Sequence, residues 1–417
     1  MKKSVKIIAI IGVIIVLAGV LFAIFGGKII GSSYEMKTEN FEIDSDMLSY
    51  SIDEQCKIYA DKYRNLYGEE YLTAIGLDTK KSLKDQESSY GGSWYDYFKK
   101  LAVEDLSRVL ALCETAKAQG TELTADETKA IESAVPKTEY EEESIISLLK
   151  LKKTAEKYEE HFLNSLSYTN KDYEEYYNQN RNEFDCVDYK CIEIFAGAEF
   201  EADKAMAEAE KTAKEFEEKI KSVGFDAAAE EYIKKSGLET TVEDMTFKEY
   251  PFEDNTQFGV WAFDSSRKAG DTIIFKGTGQ YAVYYIEKAP YKLDYTLREV
   301  QTFARALDSG GLMAEVYNSW CEKENTEENF YTLSDNAKMH NAIKSEMSKE
   351  LIDWIYSDER KSGDFTMIED ESFITIVRYK GENGSYFETL ADKLLRESDF
   401  NKMVEEKTKN QKIIFKK

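Results

Sequence analysis

Two histidines in 417 residues leave little material for a zinc centre or for histidine-based catalysis. His161 and His340 stand alone and neither has metal-ligand spacing, so no metal and no cofactor is expected. Cysteine is sparse as well. Cys56, Cys113, Cys186, Cys191 and Cys321 are odd in number, contain no Cys-x-x-Cys pair and show no disulfide framework. Positive charge is short: 55 basic residues against 80 acidic ones give a formal charge of −25, spread along the chain. Such a surface repels nucleic acid and anionic lipid and reads as a solvated one. No glycine-rich phosphate loop or serine–histidine pattern appears, which leaves protease, glycosidase and transferase readings without support. Beyond Phe25 no second long apolar run exists.

What is present begins with that first run. Lys2, Lys3 and Lys6 precede an uncharged apolar stretch from Ile7 to Phe25. Nineteen helical residues at about 1.5 Å each span about 28 Å, close to the hydrocarbon thickness of a bilayer. The lysines favour a cytoplasmic N-terminus. The run exceeds the core of a cleavable signal peptide, and only a weak cleavage site follows it. The expectation is a membrane anchor over residues 1–30, cell-membrane localisation by a single pass, and an extracytoplasmic body.

The body opens almost wholly helical. Residues 34–52 read as an extended segment entering a helix, and 53–68 as helical. From Trp94 to Ala118, Phe98, Leu101, Ala102, Leu106, Val109, Leu110, Cys113 and Ala116 recur at three- and four-residue steps. Thr124 with Glu127 forms a capping box for a helix that Pro136 ends. A helix from about 141 to 166 follows, and Thr169 with Asp172 opens a short one reaching about Glu183. Trp94, Tyr97 and Phe98 stand at core spacing and are also candidates to line a binding cradle.

At Val187 the pattern changes. Residues 187–195 read as a strand, 200–222 and 225–236 as helices, and 258–263 as a short helix. Strands follow near 272–275 and 281–287, and Pro290 closes the unit. The order recurs more weakly: a strand at 297–304, helices at 311–323 and 336–357, strands at 365–368 and 372–378. A helix at 386–408 and an apolar strand, Lys412 to Phe415, end the chain.

Three stretches carry a family resemblance: GGSWYDYFKKLAVEDLSRVLALCETAKAQGTELTADE, YTNKDYEEYYNQNRNEFDCVDYKCIEIF, and FGVWAFDSSRKAGDTIIFKGTGQYAVYYIEKA. Together they resemble the SurA/PrsA-type extracytoplasmic chaperones with parvulin-like (peptidyl-prolyl isomerase) domains. The resemblance covers roughly residues 45–290 and more tenuously extends to 381. It implies an α+β chain: an N-terminal transmembrane helix, an all-helical chaperone module at 34–184, a degenerate parvulin-like domain at 185–291, and a second such unit at 294–381. The segment 384–417 would supply a C-terminal helix and strand that complete the N-terminal module.

The resemblance also implies a function: a membrane-anchored, ATP-independent chaperone, foldase-like, that binds unfolded secreted or surface proteins. Parvulins that isomerise X-Pro bonds surround the bond with paired histidines, a cysteine or aspartate, and apolar residues. Here the histidine positions fall at about Cys191 and Ala282, and in the second unit at Glu299 and Phe373. No catalytic residue is therefore assigned. The remnant of a prolyl pocket would comprise Cys191, Phe258, Trp261, Phe263, Tyr281 and Ala282, the aromatic members of which equally suit a small domain's core. A reactive Cys191 would need a lowered pKa, and Lys190 is the only cation the sequence sets beside it. The expected partners are unfolded or secreted clients and, through Ile7–Phe25, the membrane; nucleic acid is excluded. Two alternatives stay open: an active prolyl isomerase with an atypical site, and a membrane-tethered scaffold for one dedicated protein.

Overall fold

The computed structural model describes residues 36–197, 202–307, 310–323, 325–332 and 337–415. These residues form an α+β chain in two compact units, one of the described residues up to 167 with those from 394 on, the other of those within 168–393. The expected transmembrane helix is corrected here. Among the described residues no helix is long and apolar enough to cross a membrane, and Ile7–Phe25 lies outside them. The expected membrane anchor over residues 1–30 and the single-pass localisation drawn from it are therefore not supported by the described residues.

The first unit is not wholly helical. Strands β1 (Met36–Lys37) and β2 (Glu42–Ile43) pair antiparallel, and the last strand, β11 (Ile414–Phe415), pairs with β1. Helices α1 (Ser45–Tyr67), α2 (Glu69–Ala74), α3 (Trp94–Ala118), α4 (Ala125–Ser133) and α5 (Glu142–Ser165) follow β2. Three of these starts, those of α1, α3 and α4, are capped by a side chain. Asp44 accepts from the backbone N–H groups of Asp46 and Met47, and Ser93 with Asp96 and Thr124 with Glu127 form reciprocal capping boxes. α3 packs against both α1 and α5. Its apolar stripe is fully buried at Trp94, Phe98, Ala102, Leu106 and Leu110. The chain's end returns to this core. Phe400 and Val404 of α13 (Tyr386–Asn410) pack with Val109, Leu112, Cys113 and Tyr158, while Phe415 lies against the Trp94 cluster.

The second unit starts earlier than its first strand. α6 (Asn170–Gln179), capped by Thr169 and Asp172, belongs to it and not to the helical unit. Tyr177 explains why: its ring packs edge-on against Phe184 and Phe387, and its hydroxyl donates to the buried Asp185 carboxylate at 2.8 Å.

Two sheets follow. The first contains β3 (Asp185–Phe195), then α7 (Ala202–Val223), α8 (Phe225–Ser236), β4 (Thr246–Pro251), α9 (Gln257–Ala262), β5 (Thr272–Lys276) and β6 (Gln280–Lys292). The second contains β7 (Thr296–Ala306), α10 (Gly310–Cys321), α11 (Glu327–Tyr331), β8 (Lys338–Ala342), α12 (Lys349–Ile355), β9 (Phe365–Glu369) and β10 (Phe373–Ser385). Both are antiparallel, with orders β4-β3-β6-β5 and β8-β7-β10-β9. Element for element, the second repeats the first. In each, the two helices after the opening strand cover one sheet face and the short helix covers the other.

Three local expectations change. Residues 246–251 form a strand between the expected helices at 225–236 and 258–263, where no strand was expected. Residues 338–342 are strand and only 349–355 are helix, so the expected helix at 336–357 is mostly absent. Pro290 does not end β6. It falls where the register with β3 skips from Lys288 to Tyr291, an irregularity that needs no donor from it.

Candidate functional site

Alternation along two central strands builds the first candidate surface. β3 sends Val187, Tyr189 and Cys191 to one sheet face, and β6 sends Tyr284 and Ile286 to the same face. α9 closes over them with Phe258, Trp261 and Ala262, followed by Phe263. Phe258 stacks on Tyr284 at 4.3 Å between centroids, and Tyr189 stacks on Phe247 at 4.8 Å. Arg267 lies 5.1 Å over the Trp261 ring. Gly259 makes this closure possible, because a Cβ there would stand 2.0 Å from the Glu253 carbonyl oxygen.

This geometry gathers some of the expected pocket residues and separates others. Cys191, Phe258, Trp261 and Phe263 share the α9 face. Ala282 lies two residues before Tyr284 on β6, opposite Glu193 and Phe275, and so on the same face. Tyr281 is on the other face, packed with Ile192, Ile194 and Phe216 under α7, and its hydroxyl donates to Glu210 at 3.2 Å. Period-two alternation separates it from Ala282 and takes it out of the pocket. Tyr189, Phe247, Tyr250, Phe275 and Tyr284, none of them expected from the sequence, complete the surface in its place; alternation from Cys191 and Ala282 is the signal that would have found Tyr189 and Tyr284.

Cys191 is no nucleophile in this setting. Burial pushes its thiol up to about 12, with Glu193 adding to the rise and the Tyr284 hydrogen bond only partly opposing it. The Tyr284 hydroxyl is also raised by burial. The surface is an apolar, aromatic one, suited to contact and not to proton transfer.

His340 sits elsewhere and not on a helix. It lies on β8, opposite Val300, with Nε2 2.8 Å from the Thr302 hydroxyl and Nδ1 3.2 Å from the Asn341 carbonyl oxygen. The Asn341 carbonyl oxygen can only accept, so Nδ1–H donates to it. His161 is exposed on α5.

The second candidate surface is on the helical unit. Tyr59, Tyr63 and Tyr67 follow one another at four-residue steps on α1, and Tyr71 joins them from α2. Tyr63 stacks on Tyr71 at 5.3 Å, Tyr67 lies 4.9 Å from Tyr71, and Tyr90 stacks on Tyr97 at 4.7 Å. Tyr59 joins the two groups, its ring 6.0 Å from Tyr97 and its hydroxyl 3.4 Å from that of Tyr90. Trp94 and Phe98 lie wholly buried beneath this layer and line no cradle; Tyr97 reaches the surface. Tyr67 and Tyr90 are 60% and 58% exposed. The result is a sheet of six connected rings with its outer members in water.

No protein-family model and no curated protein matches the chain.

Proposed function

We propose that the chain is an ATP-independent, foldase-like holding chaperone that binds unfolded protein segments, without prolyl isomerase activity in its first repeat. The observation that carries this reading is the six-tyrosine layer of the helical unit. A tyrosine ring offers an apolar face and a polar tip at small entropy cost, which suits contact with segments of varied sequence. Unfolded segments expose the apolar side chains that such a layer covers. The net charge of −25 keeps a loaded complex in solution. The resemblance to SurA/PrsA-type chaperones in the sequence points the same way, and Cys191 and Ala282 stand where that family places its histidines.

The test is suppression of aggregation of an unfolded client at near-equal concentration without ATP. Tyr67→Ser with Tyr90→Ser removes two exposed rings at about 0.5–1.5 kcal/mol each, which predicts client affinity weaker by about 5- to 150-fold. Suppression that is absent, or equal in wild type and double variant, sinks the reading. A second reading, prolyl isomerisation by the second repeat, is favoured by one observation, the Thr302–His340 contact on its sheet. Turnover of a proline-containing peptide that disappears in His340→Ala would establish it.

A further inference from the structure

The two-residue turn between β5 and β6 fixes which backbone groups of β5 face away from the sheet. Gly277 N–H donates to the Gln280 carbonyl at 2.9 Å, so 277 and 280 form a hydrogen-bonded pair. Antiparallel pairs alternate between bonded and non-bonded. With Phe275 opposite Ala282 and Ile273 opposite Tyr284, those two pairs are bonded, and the bond from Ile286 N–H to the Asp271 carbonyl at 2.9 Å keeps the phase. Thr272, Ile274 and Lys276 therefore point their N–H and C=O groups outward. Among the described residues no strand lies on that side.

The opposite edge of the same sheet is built differently. β4 carries a register irregularity against β3 between Val187 and Tyr189. Glu249 has φ 53°, and it is the one non-glycine residue of positive φ among the described residues. Its N–H is taken by the Asp188 carboxylate at 2.9 Å, and β4 ends at Pro251. Irregularities and proline are two of the devices that stop an edge from pairing, edge lysines being another. β5 has neither: its register with β6 is unbroken, and it reads Thr-Ile-Ile-Phe before the first charge, Lys276.

We propose that β5 is a strand-addition site that takes an extended, uncharged, β-prone segment of another, unfolded protein. Three outward N–H and three outward C=O groups would bind the segment's backbone whatever its sequence. Alternate side chains of the added strand, those beside Ile273 and Phe275, would extend the aromatic face that Phe275 shares with Tyr284 at 5.8 Å. Charge decides the occupant. Thr272 to Phe275 carry none, which matches an uncharged segment, and a net −25 on each chain opposes pairing with a second copy. The inference rests on the client-binding reading above and adds a second, backbone-directed mode to it.

The experiment uses the full chain and a dye-labelled seven-residue peptide of alternating valine and tyrosine, read by fluorescence anisotropy. Two N-methylated versions of the peptide block the backbone N–H groups of one register or the other. Strand addition predicts that one version binds at least tenfold more weakly than the parent and the other about as well. Ile274→Pro deletes an outward donor without touching the β6 ladder and should also weaken binding at least tenfold, its melting transition reporting that the unit still folds. Equal binding by both methylated peptides overturns the proposal, and because that arm uses the wild-type chain no folding defect can obscure it. A concentration-dependent dimer that Ile274→Pro abolishes would also overturn it, in favour of a second copy. Register-dependent binding without aggregation suppression would fail the chaperone reading alone; suppression without register dependence would fail this inference alone.

Discussion

Phe400→Ala tests whether the end of the chain is structurally part of its beginning. Phe400 is 3% exposed and lies in a cluster with Val109, Leu112, Cys113, Ala155 and Tyr158. Its ring is 5.8 Å from that of Phe162, and the Arg108 guanidinium lies 5.4 Å from its centroid. Truncating a buried phenylalanine removes transfer free energy and leaves a cavity, at about 3–5 kcal/mol. A unit of this size moves its midpoint by about 2–4 °C per kcal/mol, so the expected fall is about 6–20 °C. Differential scanning calorimetry of the full chain reads it directly, as a fall in the transition of the helical unit. Phe195→Ala is the control, since Phe195 is 66% exposed and its truncation should leave the midpoint within about 1–2 °C. If Phe400→Ala moves the transition no further than Phe195→Ala does, the last helix does not belong to the helical core and the assignment of residues 394–417 to it is wrong.

Gly259→Ala places a Cβ against the Glu253 carbonyl and should cost at least 1–3 kcal/mol by the ~1–3 typical of overpacking, read as a lower urea midpoint and weaker near-ultraviolet circular dichroism. Thiol mapping under native conditions should alkylate exposed Cys321 first and leave Cys191 untouched, because burial holds its thiol up at about 12; native modification of Cys191 would contradict the buried aromatic face. Glu127 is held down to about 2, first by the Lys157 ammonium at 2.6 Å and then by the Thr124 cap. Its folded pKa is below the unfolded one, so its contribution to stability is complete above about pH 4.5 and vanishes as the pH falls toward 2. Glu127→Gln should therefore melt lower than wild type at pH 7, with the gap closing by pH 2; a gap that persists there would refute the assignment.

How much of this was legible depends on where the instructions sit in the chain. The capping boxes at Thr124–Glu127 and Thr169–Asp172 are four residues long and were readable from the sequence, as was the stripe from Phe98 to Ala116. β8 was not. Its five residues, Lys-Met-His-Asn-Ala, show no clean alternation, and they are strand because Arg298 to Thr302 offer them a ladder nearly forty residues upstream. β4 escaped for the same reason, its pairing with β3 being irregular and its side chains mostly half-buried or exposed. The tyrosine layer was visible only in pieces: Tyr59, Tyr63 and Tyr67 share a helix, but Tyr90 comes from a loop and Tyr97 from another helix.

The two sheets show why the repeat was faint in sequence and plain in structure. Strand order and hairpin phase are backbone properties, and they are the same in both. Asp370 N–H donates to the Phe373 carbonyl at 2.9 Å, as Gly277 does to Gln280, and Tyr379 N–H donates to Asp364 at 2.8 Å, as Ile286 does to Asp271. The side chains laid on that frame have diverged. Where the first sheet sets aromatic Tyr189 and Tyr284 around Cys191, the second sets Val300 and Thr302 beside His340. On the other face, Lys190 of the first sheet is held by Asp226 at 2.6 Å and Glu287 at 2.9 Å. The second buries Arg378 against Gln301 at 3.0 Å and Asn325 at 2.8 Å. The two repeats therefore share a hydrogen-bonded frame and differ in the side chains set on both of its faces. A result from one sheet therefore does not carry over to the other, and each is assayed through its own residues, Tyr284 and Ile274 in the first and His340 in the second.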